Sequence, residues 1–416
     1  MMVIQGGRPL EGSVRAAGAK NAALPAIFAS LLTPEALRLS RVPHLLDVET
    51  AVELVRALGK EVTWRGEELV IREAAPPSPL APEGPVRRMR ASFLVLGPLL
   101  ARLGRAQVPH PGGCAIGPRP VDLHLKGLAA LGAEVRAREG WVEARAERLC
   151  GATIYLDFPS VGATEQLLLA GALAEGKTAI LNPAREPEVV NLGRLLSAMG
   201  AEVAWGEDRV EIRGRRALAG ADWEVIPDRI EAGTYLLAGA ITRGRVRLEG
   251  VVPEHLAALL VKLTEAGLEV EQGETWVEVA VPRRPLGIHV ETGPYPGFPT
   301  DLQPPMVSLL ALAQGESSVT ERVFASRFGH VGELLRMGAR MRQEGATLVI
   351  EGVEGLTGAR LRAPDIRAGA ALVLAGLAAQ GTTVVEGMEH LDRGYEQLDA
   401  KLRSLGAQVW REESCR

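Results

Sequence analysis

Two kinds of apolar pattern alternate along the chain. The first is nearly continuous: the stretches 22–32, 91–100, 163–173, 232–241, 304–313 and 368–378 are rich in Ala, Gly and Leu and have almost no polar position. A helix that is apolar all round belongs in a core. The second is amphipathic, with apolar residues at helical spacing, as in 121–131, 189–199 and 256–266. Each such segment closes on a related phrase: LGKEV (58–62), LGAEV (131–135), MGAEV (199–203), AGLEV (266–270), MGARM (337–341) and LGAQV (405–409). The glycines at 59, 132, 200, 267, 338 and 406 are 73, 68, 67, 71 and 68 residues apart, which makes the chain a six-fold repeat. Each reads as a left-handed cap ending its helix. A hairpin of alternating pattern follows, such as 134–145, and alternation leaves one face solvated. These patterns predict an α/β chain of six βαβαββ-type repeats arranged inside-out, with helices inside and sheets outside.

The chain ends show how the repeats divide. The sixth repeat stops after one hairpin strand, Gln408-Val-Trp-Arg411. Residues 3–15 read like the missing piece, because they match 210–220 and 349–358, which follow the first strand in their own repeats. The expected organisation is therefore two lobes of three repeats, one spanning 20–227 and the other 1–19 plus 228–416. The stretch 76–85, with five prolines, is expected to be a surface loop.

Composition narrows the function classes. A chain of 416 residues suits two domains or a repeat array. A net charge of −4 gives no general affinity for nucleic acid or an anionic membrane, so any anion site must be local. Lys and Arg total 47 but only six are lysines, so cationic recognition falls to arginine, the side chain suited to bidentate carboxylate and phosphate contacts. Cysteines 114, 150 and 415 have no metal spacing and cannot all pair, which suggests a reducing cytoplasm. The N-terminus lacks a secretory apolar core, and no apolar run is long enough to span a membrane, so a soluble protein is expected.

The candidate chemistry centres on Pro111–His124, a Gly- and Pro-punctuated loop leading into an amphipathic helix. Cys114 sits near that helix start, five residues from Arg119, in a setting that favours a thiolate. Repeat equivalence gives two further sets. The starts of the apolar helices carry Lys20-Asn21, Arg90, Ser160-Val161-Gly162, Arg229, Asp301 and Arg367; the starts of the amphipathic ones carry Asp47, the run from Cys114 to Asp122, Arg185-Glu186, Glu254, Arg327 and Arg393. Charged groups at helix N-termini make anion sites, here suggesting a small, multiply anionic ligand. Plainer readings compete. Lys20 reads equally as a first-turn surface lysine, and Cys114 as a small structural residue. Asp301 reads as an N-cap, and Arg367 and Arg393 as surface partners of Asp365 and Asp392. His124 reads as structural, as does Cys150.

Ten motifs in order, GAKNAALP (18–25), MRAS (89–92), PGGCAIGPRPVDLH (111–124), SVGAT (160–164), AREPEVV (184–190), PDRIEAGTY (227–235), FPTDLQ (298–303), VFASRFGHV (323–331), DIRA (365–368) and DRGYE (392–396), resemble the UDP-N-acetylglucosamine 1-carboxyvinyltransferase family over essentially the whole chain. The resemblance implies a two-lobed inside-out α/β barrel. It implies transfer of the enolpyruvyl group of phosphoenolpyruvate to the 3′-hydroxyl of UDP-N-acetylglucosamine, through a tetrahedral intermediate that loses phosphate, without a cofactor or metal and in the cytoplasm. It implies Cys114 as donor of a proton to C3 and site of a covalent adduct, and Asp301 as base toward the sugar hydroxyl. Lys20, Arg119 and Arg393 would hold phosphoenolpyruvate. Asn21, Arg90, Arg119, Pro120, Val121, Asp122, Leu123, Ser160, Val161, Gly162, Asp301 and Val323 would line the nucleotide-sugar site, with Arg327 and Arg367 also binding substrate. Leu46, Phe158 and Ala325 depart from the family, standing where charged side chains are frequent. Three alternatives stay open: the sister enzyme acting on shikimate 3-phosphate, a catalytically silent nucleotide-sugar sensor, and an RNA-end-processing enzyme on related repeats.

Overall fold

The computed structural model describes residues 1–112 and 121–412. The candidate loop residues Cys114, Arg119 and Pro120 therefore lie outside the described residues, as does Cys415. The described chain forms two compact units, residues 18–226 and residues 1–17 with 227–412. Each unit has its own apolar core and three sheets.

In the second unit the helices Arg229–Ile241, Gln303–Leu310 and Ile366–Ala378 pack on one another. Twelve of the thirteen residues of Ile366–Ala378 are buried, so no face is left for solvent. Small residues allow the close approach: Ser308 donates to the Ala371 carbonyl across the helix contact at 2.8 Å, and on the sheet side a Cβ on Gly239 would come within 2.7 Å of Val246 in the strand Arg245–Glu249. The corresponding helices of the first unit are Lys20–Ala29, Leu96–Leu103 and Val161–Gly171. The second of these is preceded by a 3₁₀ turn over Arg90–Val95, where the apolar run predicted uninterrupted α-helix. The other five helices start one to three residues ahead of their apolar runs, with Lys20, Arg229, Gln303 and Arg367 in their first turns.

All six repeat glycines take positive φ, from +84° at Gly267 to +110° at Gly200. Glycine alone enters that region without a Cβ penalty, and this is what lets each helix stop and turn into its hairpin. The hairpins bury alternate residues, as in Trp141–Arg145.

The sheets do not follow the order of the chain at the two crossings between units. Strand Met2–Gln5 lies antiparallel between Thr382–Glu386 and Gln408–Arg411 and so supplies the hairpin partner that the C-terminal strand lacks in its own repeat. Strand Glu11–Arg15 precedes the first helix of unit 18–226 but pairs in parallel with Arg245–Glu249 of the other unit. Reciprocally, Ala221–Glu224 precedes the helix Arg229–Ile241 but pairs in parallel with Leu37–Ser40. Each unit thus borrows a strand from sequence that runs on into its neighbour's helix. Both crossings are tied within their units: Ala19 N–H donates to Ile226 O at 2.7 Å, and Asp228 N–H to Ala17 O at 2.9 Å.

Candidate functional site

The predicted residues fall into two groups, one in each unit. In unit 18–226, Lys20 opens its helix, and its ammonium lies 3.1 Å from the carboxylate of Asp47, with side-chain exposures of 8% and 6%. Asp47 is in the first turn of the helix Leu46–Ala57, so this buried ion pair ties two helix starts together. Lys20 is not the exposed first-turn lysine of the plainer reading. Asn21 beside it is exposed.

Three further helix starts are gathered by His124. Its ring is buried, lies edge-on to Phe93 at 5.5 Å between centroids, and stands about 3 Å from where a Cβ on Gly162 would be. Phe93 follows Arg90, Gly162 follows Ser160, and His124 itself follows Val121, Asp122 and Leu123, so one imidazole sets the spacing of all three groups. A side chain at Gly162 would require the ring to give by a few tenths of an ångström. Ser160 is the N-cap of Val161–Gly171, its Oγ accepting from Ala163 N–H at 3.3 Å. His124 is structural, as the sequence suggested, but it supports the site. Cys150, read as structural, is exposed.

The second group is built around Asp301, in a 3₁₀ turn ahead of the helix Gln303–Leu310. Asp301 caps no helix. Its carboxylate instead meets two arginines: Arg327 Nη1 reaches Oδ1 at 2.8 Å, and Arg367 reaches Oδ2 through Nε at 3.2 Å and Nη2 at 3.0 Å. Both guanidinium side chains are almost fully buried, at 6% and 4% exposure, while that of Asp301 is at 24%. The surface pairing considered for Arg367 is thereby corrected. Asp365 caps the helix Ile366–Ala378 through the N–H groups of Arg367 and Ala368, and Asp392 pairs with Arg411. Arg393 follows the short helix Met388–Leu391.

Glu321 is a determinant that the sequence did not reveal. One of its carboxylate oxygens accepts from Thr292 Oγ1, Val323 N–H and Phe324 N–H at 2.7, 2.8 and 3.0 Å, and the other from Thr300 Oγ1 at 2.9 Å. Thr300 in turn accepts from Arg327 at 2.9 Å. Glu321 therefore fixes the backbone at Val323 and, through Thr300, the arginine on Asp301. A single glutamate after a strand, outside every motif, carries no signal that separates it from a surface acid. His330, at the start of the helix Val331–Arg336, is completely buried, and burial first and Arg327 second push its pKa down to about 3, so it is neutral.

An aspartate held by two buried guanidiniums keeps its oxygens aimed. Among the described residues no group of three His, Cys, Asp or Glu is placed to hold a metal ion, and no helix is long and apolar enough to cross a membrane.

The profile of a family described as EPSP synthase (3-phosphoshikimate 1-carboxyvinyltransferase) matches residues 4–402. UDP-N-acetylglucosamine 1-carboxyvinyltransferase 2 of Carboxydothermus hydrogenoformans is 53% identical over 414 residues, 98% of each chain. UDP-N-acetylglucosamine 1-carboxyvinyltransferase of Shewanella amazonensis is 50% identical over 411 residues, again 98% of each. Among solved structures, the enolpyruvyl transferase NikO from Streptomyces tendae matches with a TM-score of 0.89 at 28% identity, covering 98% of each chain. An EPSP synthase from Acinetobacter baumannii matches at 0.75 and 18% identity, covering 99% of each, which shows a shared fold. With a profile that spans nearly every residue and relatives half identical end to end, the chain belongs to the EPSP synthase family of enolpyruvyl transferases, and within it to the UDP-N-acetylglucosamine 1-carboxyvinyltransferases.

Proposed function

We propose that this enzyme transfers the enolpyruvyl group of phosphoenolpyruvate to the 3′-hydroxyl of UDP-N-acetylglucosamine, the first committed step of peptidoglycan synthesis, in the cytoplasm. The observation that carries the reading is the Asp301 carboxylate on its two buried arginines, in a chain half identical to transferases bearing that name. In the addition step the sugar oxygen bonds to C2, its proton passes to Asp301, and C3 gains a proton from Cys114. In the elimination step the C2–O bond to phosphate breaks and C3 loses a proton, which restores the double bond. Positive character builds at C2 as C3 is protonated, and a fixed carboxylate near that carbon stabilises it.

The remaining residues divide by charge. Lys20, Arg119 and Arg393 are proposed to bind the phosphate and carboxylate of phosphoenolpyruvate. Asn21, Arg90, Arg119, Pro120, Val121, Asp122, Leu123, Ser160, Val161, Gly162 and Val323 are proposed to receive the nucleotide sugar, helix N-termini suiting its diphosphate. Arg327 and Arg367 serve chiefly by holding Asp301. The same reading takes the sheets as six repeats of one inside-out barrel motif, in lobes 20–227 and 1–19 plus 228–416.

The test is phosphate release from phosphoenolpyruvate with UDP-N-acetylglucosamine or shikimate 3-phosphate as acceptor, beside a Cys114→Ala variant. Release only with the nucleotide sugar, lost in the variant, is expected. Release only with shikimate 3-phosphate moves the chain to the sister activity, and nucleotide-sugar binding without release leaves a silent sensor.

A further inference from the structure

Thr300 stands immediately before Asp301 and has no part in the scheme above. We propose that it is a positioning residue for the transfer, its hydroxyl aiming the Arg327 guanidinium at the Asp301 carboxylate; this rests on the enolpyruvyl-transfer reading of that site. Arg327 Nη1 lies 2.8 Å from Asp301 Oδ1 and donates to Thr300 Oγ1 at 2.9 Å. Among the described residues, that is the one hydrogen bond the Arg327 side chain makes, and its Nε is buried with no partner. Arg367, by contrast, grips Asp301 Oδ2 with two of its own nitrogens. Charge attraction draws Arg327 to the aspartate, but the bond to Thr300 gives it a direction.

Counting protons orders the contacts. A guanidinium can only donate, and a hydroxyl has one proton. Thr300 gives its own to Glu321 Oε2 at 2.9 Å, which leaves its lone pairs for Arg327. Glu321 is 2% exposed, and its other oxygen is held by Thr292 Oγ1 and by the N–H groups of Val323 and Phe324. The row therefore runs one way, from Arg327 through Thr300 to a carboxylate anchored by three further donors. An anchored carboxylate fixes the Thr300 hydroxyl, and the hydroxyl fixes Nη1.

A second contact comes from the same source. The Arg327 guanidinium carbon stands 5.5 Å from the centre of the Phe324 ring, and Phe324 N–H is one of the donors on Glu321. Glu321 also holds Val323, proposed above to receive the nucleotide sugar, so that backbone and the setting of the base share one buried acid. Valine at position 300 keeps the branched shape of Thr300 and removes its oxygen. Arg327 would then keep its charge beside Asp301 and lose the bond that aims it.

The experiment compares wild type, Thr300→Val, Thr300→Ser, Glu321→Gln and the Thr300→Val, Glu321→Gln double variant in phosphate release from phosphoenolpyruvate with UDP-N-acetylglucosamine, with activity expressed per folded enzyme from thermal melts. Thr300→Val is expected to lower kcat about ten- to a hundredfold, the scale of a small misplacement of a reacting group. Its KM values for both substrates should stay within about twofold, since the variant alters aim rather than uniform binding. Thr300→Ser, which restores the hydroxyl without the methyl, should recover most of the lost kcat. Glu321→Gln should lower kcat in the same sense, and the double variant should lose no more kcat than the worse single variant, because both break one row. An unchanged kcat in Thr300→Val, a change confined to KM, no recovery in Thr300→Ser, or additive losses of kcat in the double variant would overturn the proposal. A wild type that releases no phosphate with the nucleotide sugar fails the underlying reading instead, and this proposal with it.

Discussion

Asp301 is the residue on which geometry and chemistry agree most closely. Its charge is matched by two guanidiniums whose own burial is tolerable only because the carboxylate is there. Asp301→Asn keeps the shape and removes both the charge and the proton acceptor. The expected outcome is a kcat lower by about 10²–10⁴, the usual contribution of a positioned base, read by phosphate release, with melting temperature followed in parallel. His330 gives a prediction of a different kind. Folding holds it neutral to about pH 3, whereas the unfolded chain takes up a proton near pH 6.5. Its contribution to stability is therefore complete above about pH 6.5 and is lost as the pH falls from there toward 3. Urea midpoints measured at falling pH should decline below that point, and more gently in His330→Gln. Much of this residue-level picture was legible in the sequence, because charges at the heads of apolar helices stand out. Glu321 did not stand out, because a buried acid on a turn looks like a surface acid.

At the scale of elements the repeated glycines were the clearest signal. Gly406 has φ +91° and nothing within 4 Å of a built Cβ, so Gly406→Ala isolates the backbone penalty. A loss of about 1–2 kcal/mol is expected from the left-handed conformation alone, measured as a shift in urea midpoint with activity preserved. Gly162→Ala tests crowding instead, since the methyl would meet His124 at about 3 Å. Because that ring spaces three helix starts, the KM for UDP-N-acetylglucosamine should rise several-fold while that for phosphoenolpyruvate moves less. The apolar runs located every core helix but placed five of the six starts late, since a polar first turn interrupts the pattern that marks a helix. They also missed the 3₁₀ turn over Arg90–Val95, where local backbone geometry departs from the α period without any change in composition.

At the scale of the whole molecule, the order of strands in the sheets is not the order of the chain. The truncated sixth hairpin announced that the N-terminal strand would return to it, and Met2–Gln5 does. The reciprocal loan of Glu11–Arg15 and Ala221–Glu224 had no such sign, because a strand's pairing partner is decided by tertiary position and not by its own pattern. Those loans bear on what the gene could be cut into. A fragment 227–412 keeps its core helices but leaves one sheet split where Met2–Gln5 belongs and another short of its parallel edge. Unfilled edges of that kind invite aggregation. A synthetic peptide of residues 1–17 carries both missing strands, so adding it during refolding should restore a soluble, cooperatively melting species that neither piece forms alone. If so, the unit is heritable only as two separated passages of text, and a naturally split gene of this family would be expected to break elsewhere.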